Sequence, residues 1–165
     1  MIDSPYHAWM NGSFILFGIT TLSGAVMVRK LLAAGRHHLL LNSILVLLVL
    51  TGTGVVLIGA FPEDVNLYGH LSGAVLQVSG SNIAFILAGI WLMKNGSPAW
   101  GIASVVAGFF SIAAFIVTGF VGLNGPVLGL YAGAWERMSV WIMVLWLFIA
   151  GWRLLKAQNY PSKTL

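Results

Sequence analysis

Five long apolar stretches, separated by short polar segments, dominate the pattern of residues along this chain. They run from Trp9 to Val28, from Leu39 to Phe61, from Leu71 to Met93, from Trp100 to Leu123 and from Met138 to Leu155. A helix needs about 20 predominantly apolar residues to cross about 30 Å of hydrocarbon, whereas a helix of a soluble protein is usually apolar on one face only. The pattern therefore predicts five transmembrane α-helices.

Charged and turn-forming residues mark the ends of these stretches. Arg29 and Lys30 close the first, Pro62 stops the second, and the sequences KNGSP (94–98) and NGP (124–126) follow the third and the fourth. Short connections favour antiparallel packing of consecutive helices. The sequence thus predicts an all-α polytopic membrane bundle, which forms one domain over residues 1–165.

The composition supports a lipid environment. Only 7% of the residues are charged and 59% are hydrophobic, whereas a soluble domain carries about 25% charged residues. The formal net charge of +4 comes from basic residues at helix ends, so topology explains it and nucleic acid is not an expected partner. The absence of cysteine excludes disulfides, thiolate metal sites and a cysteine nucleophile.

The distribution of charge predicts the orientation in the membrane. Of the eight basic residues, all but Arg137 fall on one side of the predicted bundle, and the four acidic residues fall on the other. Cytoplasmic loops carry the excess of Lys and Arg. We therefore expect the N-terminus outside and the C-terminus inside. The basic residues on the predicted inner side are Arg29, Lys30, Arg36, Lys94, Arg153, Lys156 and Lys163, and the acidic residues are Asp3, Glu63, Asp64 and Glu136.

The interiors of the predicted helices carry only neutral polar side chains. None of the five stretches has a Lys, Arg, Asp, Glu or His in its middle third, which disfavours proton relays and charged ion pathways. The neutral residues Asn42, Thr51, Thr53, Gln77, Ser79, Asn82 and Thr118 are interpreted as interhelical hydrogen-bonding groups. Small and polar residues recur on one face of the third helix, at Ala74, Gln77, Gly80, Ser81, Ala84 and Ala88, and of the fourth, at Ser104, Gly108 and Ser111. Such stripes are typical of close helix packing in membranes.

The candidate chemistry lies on the predicted outer side. We call the following residues the outer rim: His7, Asn11, Glu63, Asp64, Asn66, His70, Glu136 and Arg137. Histidines and carboxylates can ligate a metal that activates water. They lack any fixed ligand spacing such as H-E-x-x-H, however, so no metal is expected, the catalytic residues are unknown and the sequence identifies no cofactor. The alternative interpretation is that Glu63 and Asp64 are solvated loop charges, and that Asp64 and Glu136 are favourably placed at helix N-terminal regions.

Arg137 departs from the topology rule, because it is the one basic residue on the outer side. An acidic partner would explain its position there, so we expect Glu63 or Asp64 to approach Arg137, with His70 in the same cluster. The alternative is that its guanidinium binds a phosphate or carboxylate of a ligand.

Three sequence motifs resemble a known family. They are SPYHAWMNGSF before the first span, GAFPEDVNLYGHLSGA between the second and third, and WERMSVW at the start of the fifth. Together they resemble the domain-of-unknown-function 998 membrane proteins of bacteria and archaea over essentially the whole chain. Pro62, Glu63, Asp64, Asn66 and His70 are the most specific part, and Glu136-Arg137 matches the family's pair at the last span.

The resemblance implies a location and an extra helix but no activity. It implies the bacterial or archaeal cytoplasmic membrane. It also implies a further helix before the SPYH-like segment. We therefore expect either that the start of the chain has been lost or misassigned, or that a partner helix fills that place. The function that we expect is binding of a lipid headgroup or small ligand at the outer rim, or service as a small subunit of a membrane complex. The alternative is a membrane-embedded hydrolase that uses His7, Asp64, His70 and Glu136.

The orientation is testable with a reporter fused to Leu165. A reporter that is active only outside the cytoplasm should give no signal there, because the basic residues hold the C-terminus inside. A reporter that works only in the cytoplasm serves as the control and should be active. A strong signal from the first reporter would reverse the predicted orientation.

Overall fold

Five α-helices make up the computed structural model, which describes residues 5–32 and 38–159 and the side chains of residues 5–29 and 38–156. The helices are α1 (His7–Leu32), α2 (His38–Ala60), α3 (Leu67–Lys94), α4 (Pro98–Asn124) and α5 (Ala132–Asn159). Each is long and apolar enough to cross a membrane. The predicted all-α class and the five spans are confirmed. The predictions that involve Asp3, Arg36 and Lys163 lie outside the described residues.

All five helices begin earlier than the apolar stretches indicated, and the difference is largest for the third and the fifth. The third starts at Leu67 rather than Leu71, and the fifth starts at Ala132 rather than Met138. A hydropathy pattern reports the part of a helix that lies in hydrocarbon, whereas the helix itself continues into the interface. Glu136 and Arg137 therefore lie in the second turn of α5 rather than at its start.

The chain divides into two compact units, residues Met1–Ala84 (unit 1) and Phe85–Leu165 (unit 2). Unit 1 contains α1, α2 and the first part of α3, and unit 2 contains the rest of α3 with α4 and α5. The single domain over residues 1–165 stays a prediction.

Glycines bring the helices of unit 1 into close contact. A Cβ atom on Gly18 of α1 would lie 2.7 Å from the carbonyl oxygen of Gly52 in α2. One on Gly54 of α2 would lie 2.5 Å from the carbonyl oxygen of Gly73 in α3. Real Cβ atoms do not approach backbone that closely, so only glycine fits at these crossings. Close backbone approach is how membrane helices gain van der Waals contact.

The small and polar stripe of α3 is buried as predicted. Within unit 1, Gln77, Ser81 and Ala84 are buried, and a Cβ on Gly80 would lie 2.6 Å from Thr51 Oγ1 and 2.8 Å from the carbonyl oxygen of Leu47. The Gly80 position therefore faces α2 and not lipid.

Hydroxyl groups join α4 to α5 in unit 2. Ser111 Oγ lies 2.9 Å from Ser139 Oγ, and Trp146 Nε1 donates to Ser104 Oγ over 2.8 Å. The Trp146 ring stacks on Phe85 with centroids 4.6 Å apart. The polar stripe that was predicted on the fourth helix is therefore confirmed as a helix contact.

The interhelical interpretation is wrong for the two threonines whose hydrogen bonds are defined. Thr51 Oγ1 donates to Leu47 O of its own helix, and Thr118 Oγ1 donates to Ala114 O. A threonine hydroxyl reaches the carbonyl four residues earlier without any neighbouring helix. Asn82 is 1% exposed, and its amide atoms have no hydrogen-bond partner within the described residues.

Large apolar side chains cover the outer surfaces of the helices. Examples are Leu16 of α1, Val46 of α2, Val75 of α3, Phe109 of α4 and Phe148 of α5, all of which are exposed. Exposed apolar side chains on every helix would be unfavourable in water, and lipid is the solvent that suits them. The chain is thus an integral membrane protein with several spans.

The contact at Gly80 is testable by substitution with alanine. Gly80→Ala should lower the stability of the protein in detergent by about 1–3 kcal/mol, because the added methyl collides with the Leu47 carbonyl and with Thr51. The matched control is Gly24→Ala, since a Cβ at Gly24 has nothing within 4 Å. Thermal unfolding measures both. Equal melting temperatures for the two variants would contradict the packing of α3 on α2.

Candidate functional site

The start of α1 and the end of α2 meet at one end of unit 1. A Cβ on Gly59, in the last turn of α2, would lie 2.7 Å from the carbonyl oxygen of Asn11 and 2.9 Å from Ile15 Cγ1. His7 is the first residue of α1, one turn before Asn11. The loop after α2 begins directly beyond Gly59. His7, Asn11 and this loop therefore belong to the same end of unit 1.

The loop between α2 and α3 is a hydrogen-bonded turn. Pro62 ends the helical hydrogen bonding because it has no N–H group. Its carbonyl oxygen accepts from the N–H groups of both Val65 and Asn66, each over 2.9 Å. These bonds place Glu63 and Asp64 at the exposed tip of the turn. The two carboxylates thus stand on a backbone with a defined conformation.

Asn66 and His70 fasten this turn to α3. Asn66 Oδ1 accepts from the N–H of Gly69 over 2.9 Å, which is the bond of a helix N-cap. His70 Nδ1 lies 3.2 Å from the carbonyl oxygen of Phe61. Because a carbonyl oxygen only accepts, Nδ1 carries the proton, and in the neutral ring Nε2 is an acceptor.

The sequence interpretation missed the structural role of Asn66, which it placed among ligand-binding candidates. The available signal was an Asn directly before a helical segment, which is typical of an N-cap. It also missed the brace that His70 provides, because that bond joins residues nine positions apart across a turn. We call His7, Asn11, Glu63, Asp64, Asn66 and His70 the unit 1 rim.

The remaining two candidates lie in unit 2. Glu136 and Arg137 are exposed in the second turn of α5. Arg137 Nη1 donates to the carbonyl oxygen of Gly133 over 3.1 Å, so its side chain reaches back towards the start of the helix. The predicted approach of Arg137 to Glu63 or Asp64 joins residues of different units and stays a prediction.

A metal ion that activates water at the outer rim gains no support from the described residues. Across residues 5–32 and 38–159, no group of three or more His, Asp or Glu side chains is arranged to hold a metal ion. Asp3 lies outside that part of the chain.

Residues 2–153 match a protein family whose description reads "protein of unknown function (DUF998)". The chain belongs to the DUF998 family. The resemblance inferred from the three sequence motifs is thereby confirmed, and the unit 1 rim, Glu136 and Arg137 all lie within the matched residues. No match to this chain was found among curated proteins or among solved structures. The DUF998 description names no activity, so any function must be argued from the residues.

The capping role of Asn66 generates a prediction for this DUF998 chain. Asn66→Ala should lower stability by about 0.5–2 kcal/mol, because the N–H of Gly69 loses its acceptor, whereas Asn66→Asp should retain the cap. The matched control is Asn42→Ala, at an exposed position inside α2. Thermal unfolding in detergent gives the comparison. If Asn66→Asp is as destabilised as Asn66→Ala, Asn66 does not act as a cap.

Proposed function

We propose that this protein binds a primary-amine ligand, the headgroup of an amine-bearing phospholipid, at the unit 1 rim. The observation that carries the proposal is the fastened turn between α2 and α3, which presents Glu63 and Asp64 at its exposed tip. Binding would occur in the cytoplasmic membrane of a bacterium or archaeon, as the family resemblance implies. Docking of a further helix or subunit stays a separate prediction.

The acceptor groups of the rim favour a ligand that donates hydrogen bonds. The carboxylate of Glu63 accepts only, and His70, when neutral, offers Nε2 as an acceptor because Nδ1 faces the carbonyl oxygen of Phe61. A primary ammonium group has three N–H donors and a positive charge, which matches both features. Charge-assisted hydrogen bonds of this kind are roughly twice as strong as those between neutral groups.

The fixed geometry of the turn also favours binding. Its backbone bonds from Val65 and Asn66, the Asn66 cap and the His70 brace hold the turn before any ligand arrives. A preorganised site loses less conformational entropy on binding. The neutral interiors of the helices offer no comparable charged group, so the helix ends are the better place for recognition.

The proposal predicts a difference between two zwitterionic lipids. Phosphatidylethanolamine should stabilise the detergent-solubilised protein more than phosphatidylcholine does, because the choline headgroup has no N–H to donate. Glu63→Gln should reduce that preference about threefold to tenfold, as expected when one hydrogen bond loses its charge assistance but keeps its acceptor oxygen. Lys94→Gln, which neutralises a charge in the last turn of α3, is the control and should keep the preference.

Thermal shifts measured over a series of lipid concentrations give the preference for each variant. Equal stabilisation of the parent protein by both lipids would refute amine recognition. An unchanged preference in Glu63→Gln would remove Glu63 from the site.

A further inference from the structure

Two cations lie beside tryptophan rings near the end of α5 in unit 2. Arg153 Cζ is 5.4 Å from the ring centroid of Trp100 in α4, and Lys156 Nζ is 5.3 Å from that of Trp152. Distances below about 6 Å are those of cation–π contacts. Both basic side chains are exposed. The first turn of α4 and the last turns of α5 therefore share one basic and aromatic surface, which we call the Arg153 surface.

The guanidinium of Arg153 has no carboxylate partner within the described part of unit 2. Its contact with Trp100 involves the aromatic face, whereas the five N–H donors of a guanidinium lie in its own plane. The one acidic residue in the described part of unit 2 is Glu136, which lies 17 residues away (153 − 136) on the same helix. At 1.5 Å per residue this separation is about 25 Å, so Glu136 does not pair with Arg153.

The start of α4 adds donors to the same surface. Pro98 is the first residue of α4, and Ser97 makes no side-chain capping bond. The helical hydrogen bonds begin with the N–H of Gly101, which donates to Ser97 O over 2.9 Å. The N–H groups of Ala99 and Trp100 thus point beyond the helix end, where the helix dipole favours negative charge.

Apolar side chains border the Arg153 surface on α5. Trp152, whose ring contacts Lys156, is 55% exposed, and Ile149, one turn before Arg153, is 39% exposed. A soluble anion would have no use for these groups, whereas the acyl chains of a lipid would cover them. A guanidinium fork and a second cation suit the phosphate of an anionic phospholipid, and the adjoining apolar area suits its acyl chains.

We propose that the Arg153 surface binds the phosphate of an anionic membrane phospholipid. Arg153 donates its fork to the phosphate, Lys156 supplies a second positive charge, and Trp100 holds the guanidinium in place. The site lies at the opposite end of α5 from Glu136 and Arg137, and it uses none of the residues of the unit 1 rim.

The test compares phosphatidylglycerol with phosphatidylcholine, using native mass spectrometry of the detergent-solubilised full chain. The parent protein should retain phosphatidylglycerol preferentially. Arg153→Gln should weaken that binding about tenfold, the expected loss for one bidentate charged contact. Arg153→Lys should give an intermediate loss, because the charge remains and the fork is gone. Melting temperatures without added lipid establish that each variant is folded.

Arg29→Gln is the matched control, since it removes the same charge from an exposed position in α1 that has no ring contact among the described residues. It should retain the preference of the parent. Equal losses in Arg29→Gln and Arg153→Gln would overturn the proposal, because diffuse charge would then explain the binding.

Two further measurements keep the proposal falsifiable. If Arg153→Gln does not fold, Lys156→Gln takes its place and should weaken phosphatidylglycerol binding about threefold; an unchanged affinity would overturn the proposal. Soluble glycerol 1-phosphate at the same concentration should not displace the lipid. Displacement would identify a free-phosphate site and overturn the assignment to lipid.

Discussion

Hydrocarbon offers no partner for a backbone N–H or C=O group, and the rest of this structure follows from that constraint. Each of the five apolar stretches satisfies its own backbone by forming a helix. Once inside lipid, the helices gain nothing from burying more apolar surface, because the solvent is equally apolar. They adhere instead where backbones approach closely or where side chains share hydrogen bonds.

Close backbone approach and interhelical hydrogen bonds are both present, and the two units differ in how far they use each. Unit 1 relies on close approach: Gly18 meets Gly52, and Gly54 meets Gly73. Unit 2 combines the approach of Gly89 to Gly101 with two hydroxyl-mediated contacts, Ser111 with Ser139 and Trp146 with Ser104. The hydroxyl of Thr51 donates to its own helix and so does not link two helices. Burying it costs little free energy, because its hydrogen bond is satisfied within the helix.

The number, type and order of the helices were predictable because they depend on the length of each apolar stretch alone. Their ends were less so: the segment from Ala132 to Arg137 is helical, but its Gly, Glu and Arg residues give no hydropathy signal. For the candidate site too, the sequence predicted where the residues lie but not which contacts they make. Polarity placed Asn66 and His70 at the rim, but the cap and the brace depend on how a turn folds. The pairing of Arg153 with Trp100 joins two helices, and no local pattern in the sequence encodes that contact.

The two arginines of α5 show how the membrane constrains the chemistry of the chain. Arg137 and Arg153 are 16 residues apart (153 − 137), or about 24 Å along the helix axis at 1.5 Å per residue. The hydrocarbon layer is about 30 Å thick. A straight, upright α5 is therefore too short between these two residues to place one Cα atom beyond each face of the layer.

The side chains must extend away from the membrane centre, as long basic side chains do. Arg137 does so by reaching back to Gly133, towards the start of α5. Arg153 extends over Trp100, which lies at the start of the neighbouring α4. The two arginines thus differ in what supports them: Arg137 donates to the backbone of its own helix, whereas Arg153 contacts an aromatic ring of the neighbouring one.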